Sequence, residues 1–157
     1  MKALVVYDSV FGNTEKVAQA IGAALEAQAE VSVLKVEAVT GEFWNGMDAL
    51  IVGSPTRAFS ATPATKKLLS GIPRPGLQGV RVAAFDTRVD VETVDSGFLN
   101  FMVKLFGYAA EPLAARLRRK GGQEALAPAG FVVEDSEGPM REGEMERAAE
   151  WAKGILE

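Results

Sequence analysis

Short runs of β-branched and apolar residues alternate with helical patterns along the whole of this 157-residue chain, and that alternation limits its fold more than any other feature. A strand followed each time by a helix returns in the same direction, so the repeated pattern gives a parallel sheet with helices on both faces. Five strands are predicted, at 3–8, 31–36, 48–53, 80–86 and 130–134. The first, third and fourth are almost continuously apolar, as central strands buried on both faces are. Val31-Ser32-Val33-Leu34-Lys35-Val36 alternates, like an edge.

Between the strands, residues 14–28 carry Val17, Ile21, Ala24 and Leu25 at helical spacing. Residues 62–70 open with Thr62-Pro63, an N-cap followed by proline at the first helical position, and stop at Gly71. Pro112 has no place deep inside a helix, so the stretch after the fourth strand divides. Residues 97–106 form one apolar helical segment, and 111–120 form a second, closed by Gly121-Gly122. A last helix at about 142–156 presents Met145, Ala148, Ala149, Ala152 and Ile155 to the sheet. The expectation is one doubly wound α/β domain over 1–157, with 97–108 as an apolar helical insertion.

Composition narrows the chemistry. With no His and no Cys, metal sites built on imidazole or thiolate are excluded, as are serine–histidine and cysteine–histidine catalysis. No metal site and no catalytic side chain are expected, and redox chemistry would have to come from an organic cofactor. A net charge of −4 gives no basic footprint for nucleic acid. The opening apolar run, Met1 to Asp8, is too short for a signal peptide, and no stretch approaches the roughly 20 apolar residues that span a bilayer. Together with the absence of cysteine, this predicts a cytoplasmic protein without a membrane anchor.

The most informative segment is Ser9-Val10-Phe11-Gly12-Asn13-Thr14, between the first strand and the first helix. Backbone N–H groups at a helix N-terminus lack partners within the helix and sit at its positive end, so they favour an anion. Ser9, Asn13 and Thr14 offer further donors, and Gly12 permits close approach. A Walker loop needs Lys then Ser or Thr after its glycine, and a dinucleotide loop needs three spaced glycines; neither is present. A terminal monophosphate, held without Lys or Arg in the loop, fits these residues best.

In this segment the chain resembles the flavodoxin family, whose phosphate loop has Ser or Thr, two variable residues, then Gly, Asn and Thr. Tyr7 through Lys16 is similar also to the flavodoxin module of flavodiiron proteins, which place an aromatic before the glycine. The resemblance implies a flavodoxin-like sheet in the order 2-1-3-4-5 and FMN as cofactor. It places Ser54, Pro55, Thr56, Arg57 and Phe59 in the loop after strand three, and Asp86, Thr87 and Arg88 after strand four, beside the isoalloxazine ring. If the loop after strand four runs long, Tyr108 returns to supply a stacking ring, with 97–106 as lid or flank.

Arg57 and Arg88 would favour the negative charge gained by a reduced flavin, unless they are solvated surface residues. An apolar segment such as Phe98 to Tyr108 is more often core packing or a subunit interface than a cofactor lid, in a monomer or a homodimer. Asp86, Asp90, Glu92 and Asp95 offer an acidic rim to a redox partner, or only a solvated loop. Arg116, Arg118, Arg119 and Lys120 match the negative end of a helix, and Trp44 and Trp151 have no spacing that implicates them in chemistry. The resemblance thus implies an electron carrier working between a reductase and an acceptor. The alternatives are an FMN-dependent NAD(P)H:quinone oxidoreductase and a cofactor-free binding domain. A phosphoacceptor signalling domain, which shares the topology, would need an Asp where the third strand ends in Gly53-Ser54.

Overall fold

Uninterrupted apolar runs have two faces to bury, and they occupy the middle of one parallel sheet. In the computed structural model, which describes residues 1–74, 76–89, 97, 98, 101, 103, 107–135 and 137–157, β1 (Lys2–Tyr7) lies between β2 (Glu30–Lys35) and β3 (Ala49–Pro55). β3 pairs in turn with β4 (Arg81–Val89). The last position is shared by β5 (Gln123–Glu124) and β6 (Ala129–Val133), which pair with the beginning and the end of β4. The order is therefore the doubly wound 2-1-3-4-5, with the fifth strand in two pieces. Pro128, which lacks an N–H, stands at the break.

Both central strands run further than their apolar residues indicate. Ser54 pairs with Asp86 and Pro55 with Thr87, while Thr87, Arg88 and Val89 pair with Phe131, Val132 and Val133. Asp86, Thr87 and Arg88 thus belong to β4 rather than to a loop after it. A ladder on both sides holds these polar residues extended, which a reading of apolar runs misses.

Alternate residues of the sheet feed two cores. Leu4, Val6, Leu50, Val52, Val82 and Ala84 face Leu69 of α2 (Pro63–Ser70) and Leu113 and Leu117 of α3 (Ala110–Arg119). Val5, Ile51, Ala83 and Phe85 face Val17, Ile21 and Leu25 of α1 (Asn13–Leu25) and Ala148 and Ala152 of α4 (Glu144–Lys153). Each large aliphatic side chain buried this way contributes about 1.5–3 kcal/mol. Phe85, Phe131 and Trp151 meet edge to face, with centroids 5.9–6.3 Å apart, so Trp151 is a packing residue. Trp44 packs against the first core from a 3₁₀ turn at Gly41–Trp44.

Local signals account for the helix ends. Thr62 caps α2 by accepting from the Thr65 N–H, and Pro112 falls in the first turn of α3, where its missing donor costs no hydrogen bond. The helix expected at 97–106, and the insertion 97–108 with it, lies largely outside the described residues; 97, 98, 101 and 103 have helical backbone.

β6 is an edge, and side chains cover it. The Glu144 carboxylate accepts from the Val132 N–H at 2.7 Å, Arg147 donates to the Gly130 carbonyl, and the Arg141 N–H donates to the Val132 carbonyl at 2.8 Å. Outward backbone groups that would otherwise template a foreign strand are thereby occupied. The Arg147 fork, donating to both Glu144 oxygens at 2.8 Å, holds the Glu144 carboxyl below its usual range despite its burial. A depressed folded-state pKa contributes stability above the unfolded value and loses it as pH falls. Glu144→Gln should therefore cost about 1–2 kcal/mol in urea unfolding at neutral pH, with the gap to wild type closing below about pH 4.

Candidate functional site

Where β1 and β3 lie side by side, the chain leaves β1 towards α1 on one face and leaves β3 towards α2 on the other. Diverging connections open a crevice at the carboxyl ends of the strands. A cleft of about 300 Å³ occupies this place. Val10, Phe11, Asn13 and Thr14 line it from the first loop, Pro55 to Ala58 from the second, and Thr87, Arg88, Val89 and Val133 from the ends of β4 and β6.

The first loop is held from below. The Asp8 N–H donates to the Gly53 carbonyl at 3.1 Å, continuing the ladder. The Asp8 carboxylate accepts from the Ser9 N–H at 2.9 Å and from the Thr62 hydroxyl at 2.6 Å, tying the turn to the start of α2. Ser9 Oγ accepts from the Gly12 and Glu15 N–H groups, at 3.0 and 3.4 Å. Ser9 therefore shapes the turn and does not line the cleft. Gly12, at φ +92°, stands at the N-cap of α1 with no side chain to cap it, and a Cβ there would meet nothing within 4 Å. With the Gly12 and Glu15 N–H groups taken by Ser9, the Asn13 and Thr14 amides are left to face whatever enters. Asn13 donates through Nδ2 to the Glu137 carbonyl at 3.0 Å, and the buried Thr14 hydroxyl lies 2.8 Å from that of Thr87.

The second loop contains a strained turn. Arg57 and Ser60 exchange backbone hydrogen bonds at 2.7 and 3.0 Å around Ala58 and Phe59, both left-handed at φ +48° and +66°. Neither residue type favours that conformation, and such strain is typical of loops that shape a site. Phe59 sits in this turn without lining the cleft. Ser54 is fully buried, its hydroxyl accepting from the Thr62 N–H and donating to the Pro55 carbonyl, each at 3.0 Å, so it supports the loop from behind. Thr56 donates from its N–H to the Thr87 carbonyl at 2.9 Å and accepts at Oγ1 from the Ala109 N–H at 3.1 Å.

The two arginines differ sharply. Arg88 donates through Nε and Nη2 to both oxygens of Asp86, at 2.6 and 2.7 Å, and Asp86 also accepts from the Ala110 N–H at 2.8 Å. Asp86 is 0% exposed, so it is no part of an acidic rim; Asp90, Glu92 and Asp95 lie outside the described residues. Burial pushes the Asp86 carboxyl up while the Arg88 fork and the Ala110 N–H pull it down. The Tyr108 ring lies 3.7 Å from Arg88 Cζ, outside the cleft lining itself. Arg57, by contrast, is exposed, forms no ion pair among the described residues, and reaches over Phe11 at 5.6 Å. Sequence reasoning missed Ala58, Val89 and Val133 as lining residues; the last two were findable as the carboxyl ends of β4 and β6. Among the described residues, no helix is long and apolar enough to cross a membrane, and no group of three or more acidic side chains is placed to hold a metal ion.

The sequence profile of the flavodoxin domain matches residues 4–95, more than half of the chain and the ends of β1, β3 and β4 at the cleft, and the protein belongs to that family. No curated protein matches it significantly. Among solved structures, Flavodoxin 2 from Bacillus cereus is 22% identical, with 99% of this chain and 98% of that one covered and a TM-score of 0.78. A flavodoxin from the domain Archaea is 24% identical, covering 99% and 96%, with a TM-score of 0.70. Rubredoxin oxygen:oxidoreductase from Desulfovibrio gigas is 22% identical over 98% of this chain and 35% of its own, with a TM-score of 0.71. At these identities the likeness establishes the fold.

Two opposite substitutions test the backbone of the site. Gly12→Ala should destabilise the protein by about 1 kcal/mol, because alanine resists a positive φ, and Ala58→Gly should stabilise it by a similar amount for the converse reason. Thermal unfolding of both variants checks the signs.

Proposed function

We propose that the cleft holds FMN and that the protein is a one-domain electron carrier, taking electrons from a reductase and passing them to an acceptor. The observation that carries this reading is the turn at the β1–α1 junction. It presents the unbonded Asn13 and Thr14 amides and an open glycine to an anion, yet no Lys or Arg stands between Ser9 and Thr14. That donor set suits one terminal phosphate better than a polyphosphate, which would call for a cation.

The remaining residues fit the rest of the cofactor. Phe11, Pro55 and Val133 give the cleft apolar walls of the kind that bind a flat heterocycle, and Thr56 and Thr87 keep the two strand-end loops in register. Arg57 is the cation at the cleft without a carboxylate partner among the described residues, so it would favour the more negative, reduced cofactor. FMN, when bound, supplies the redox chemistry, and no side chain need form a bond to a substrate. We place the carrier in the cytoplasm, since a chain without cysteine carries none of the cross-links of secreted domains.

Adding FMN to apoprotein should quench flavin fluorescence with one-to-one stoichiometry at micromolar concentration. In stopped flow, NADH or NADPH alone should bleach the bound flavin slowly, and a catalytic amount of a flavodoxin reductase should make bleaching rapid. Fast bleaching by the nicotinamide alone would instead make the protein an oxidoreductase, and failure to take up FMN would leave only a binding domain.

A further inference from the structure

We propose that a cation-lined pocket at the end of the sheet opposite the cleft is a second anion site, which binds the phosphate end of a small phosphate ester or diphosphate. The proposal uses no residue of the cleft and stands apart from the flavin reading.

α2 and α3 begin beside the cleft, where Thr62 bonds Asp8 and Ala110 bonds Asp86, and run back along the sheet. Their C-terminal ends therefore meet at the opposite edge, near the start of β4. The Leu77 N–H donates to the Lys120 carbonyl at 2.9 Å. Lys120 Nζ in turn donates to the carbonyls of Ser70 and Ile72, at 3.2 and 2.6 Å, and so joins the two helix ends. A pocket of about 140 Å³ lies here, lined by Leu69, Ser70, Arg74, Arg116, Arg119 and Lys120. Four of these six residues are cationic and none is acidic.

Cations near a helix C-terminus answer its negative end. That accounts for Lys120 but not for the three arginines of the pocket. The last carbonyls of α3 already accept from backbone: those of Arg116 and Leu117 from the Lys120 N–H, each at 3.2 Å, and that of Arg118 from the Gly121 N–H at 3.0 Å. Arg118, on the same turn, pairs with Glu124 at 2.8 Å. Arg74, Arg116 and Arg119 form no ion pair and no side-chain hydrogen bond among the described residues. Three guanidinium groups, rich in N–H donors, thus line one small space that offers them no carboxylate. An anion among them would relieve their mutual repulsion.

The same geometry selects the ligand. Guanidinium forks match the oxygens of a phosphate, and several cations around one space favour a group with two or more charges over a single carboxylate. Leu69 is the pocket's one large apolar residue, so no platform is offered to a base or an aromatic ring. The phosphate is held and the rest of the ligand stays in solvent. A net charge of −4 repels anions from the protein as a whole, so anion binding at this end is a local property.

The test is titration of the purified protein with inorganic pyrophosphate, followed by calorimetry and by the arginine Nε–H resonances. Pyrophosphate should bind with a submillimolar Kd, more tightly than orthophosphate, and the affinity should fall as salt is added. Arg116→Gln and Arg119→Gln should each weaken binding about three- to ten-fold, and the double variant by at least about ten-fold. Arg118→Gln removes the same charge from the same turn but none from the pocket, and should leave the Kd within about two-fold of wild type. In wild type the Nε–H resonances of Arg74, Arg116 and Arg119 should move with pyrophosphate while that of Arg118 stays.

Binding that needs about 10 mM pyrophosphate or more, an adventitious ion only, would overturn the proposal. So would an equal loss from Arg118→Gln, which would mean diffuse attraction rather than a site. Undiminished affinity in the double variant would move the anion to the turn from Ser9 to Thr14, and would equally reject this pocket. If a glutamine variant melts early, the corresponding lysine variant keeps the charge without the fork, and should still bind at least about three-fold more weakly. Full affinity in the lysine variant would reject recognition by the guanidinium forks.

Discussion

Everything at the functional end of this molecule depends on two neighbouring parallel strands whose connections depart on opposite faces. β1 and β3 are in register from Ala3 opposite Ala49 to Tyr7 opposite Gly53, and the next ladder bond, from Asp8 to Gly53, lies at the lip of the cleft. Beyond that bond the chain diverges, and no backbone remains to fill the gap. The Asp8–Thr62 hydrogen bond spans it from below and keeps the two loops from separating further. The crevice is thus a consequence of topology, and the loops only shape it.

Polar groups at this edge are largely occupied with one another. Ser9 holds its own turn, Ser54 holds Thr62, Thr14 meets Thr87, and Asp86 takes the Arg88 fork. Among the described residues no buried side-chain polar atom lacks a hydrogen-bond partner, so the site is a finished framework rather than a set of groups waiting for a ligand. Among the described residues, what faces the cleft without a hydrogen-bond or ion-pair partner is chiefly the Asn13 and Thr14 amides and the Arg57 guanidinium, which lies over Phe11. Few groups need reorganise on binding, which favours affinity.

The fold was legible because apolar runs and helical spacing state it redundantly: each of β1, β3 and β4 announces a strand buried on both faces, and Thr62-Pro63 and Pro112 mark helix starts. The strand ends were not, since Asp86, Thr87 and Arg88 are polar residues kept extended by neighbours that only the folded sheet brings alongside. The turn from Ser9 to Thr14, with its glycine at the start of α1, was legible as a local pattern. The difference between Arg57 and Arg88 was not, because charge in a sequence carries no record of the carboxylate two residues away turning inward to neutralise it. Nor does Ala58-Phe59 advertise a left-handed turn, as Asn-Gly would. The Ser9 and Ser54 hydroxyls, read from sequence as site residues, bond the backbone of the two loops.

The central claim is that the turn from Ser9 to Thr14 recognises a single phosphate through backbone amides. The most direct measurement compares the affinity of the apoprotein for FMN and for riboflavin, which differ only in that group. With two or more hydrogen bonds to a charged phosphate, FMN should bind at least about 100-fold more tightly. Equal affinities for the two would contradict the account.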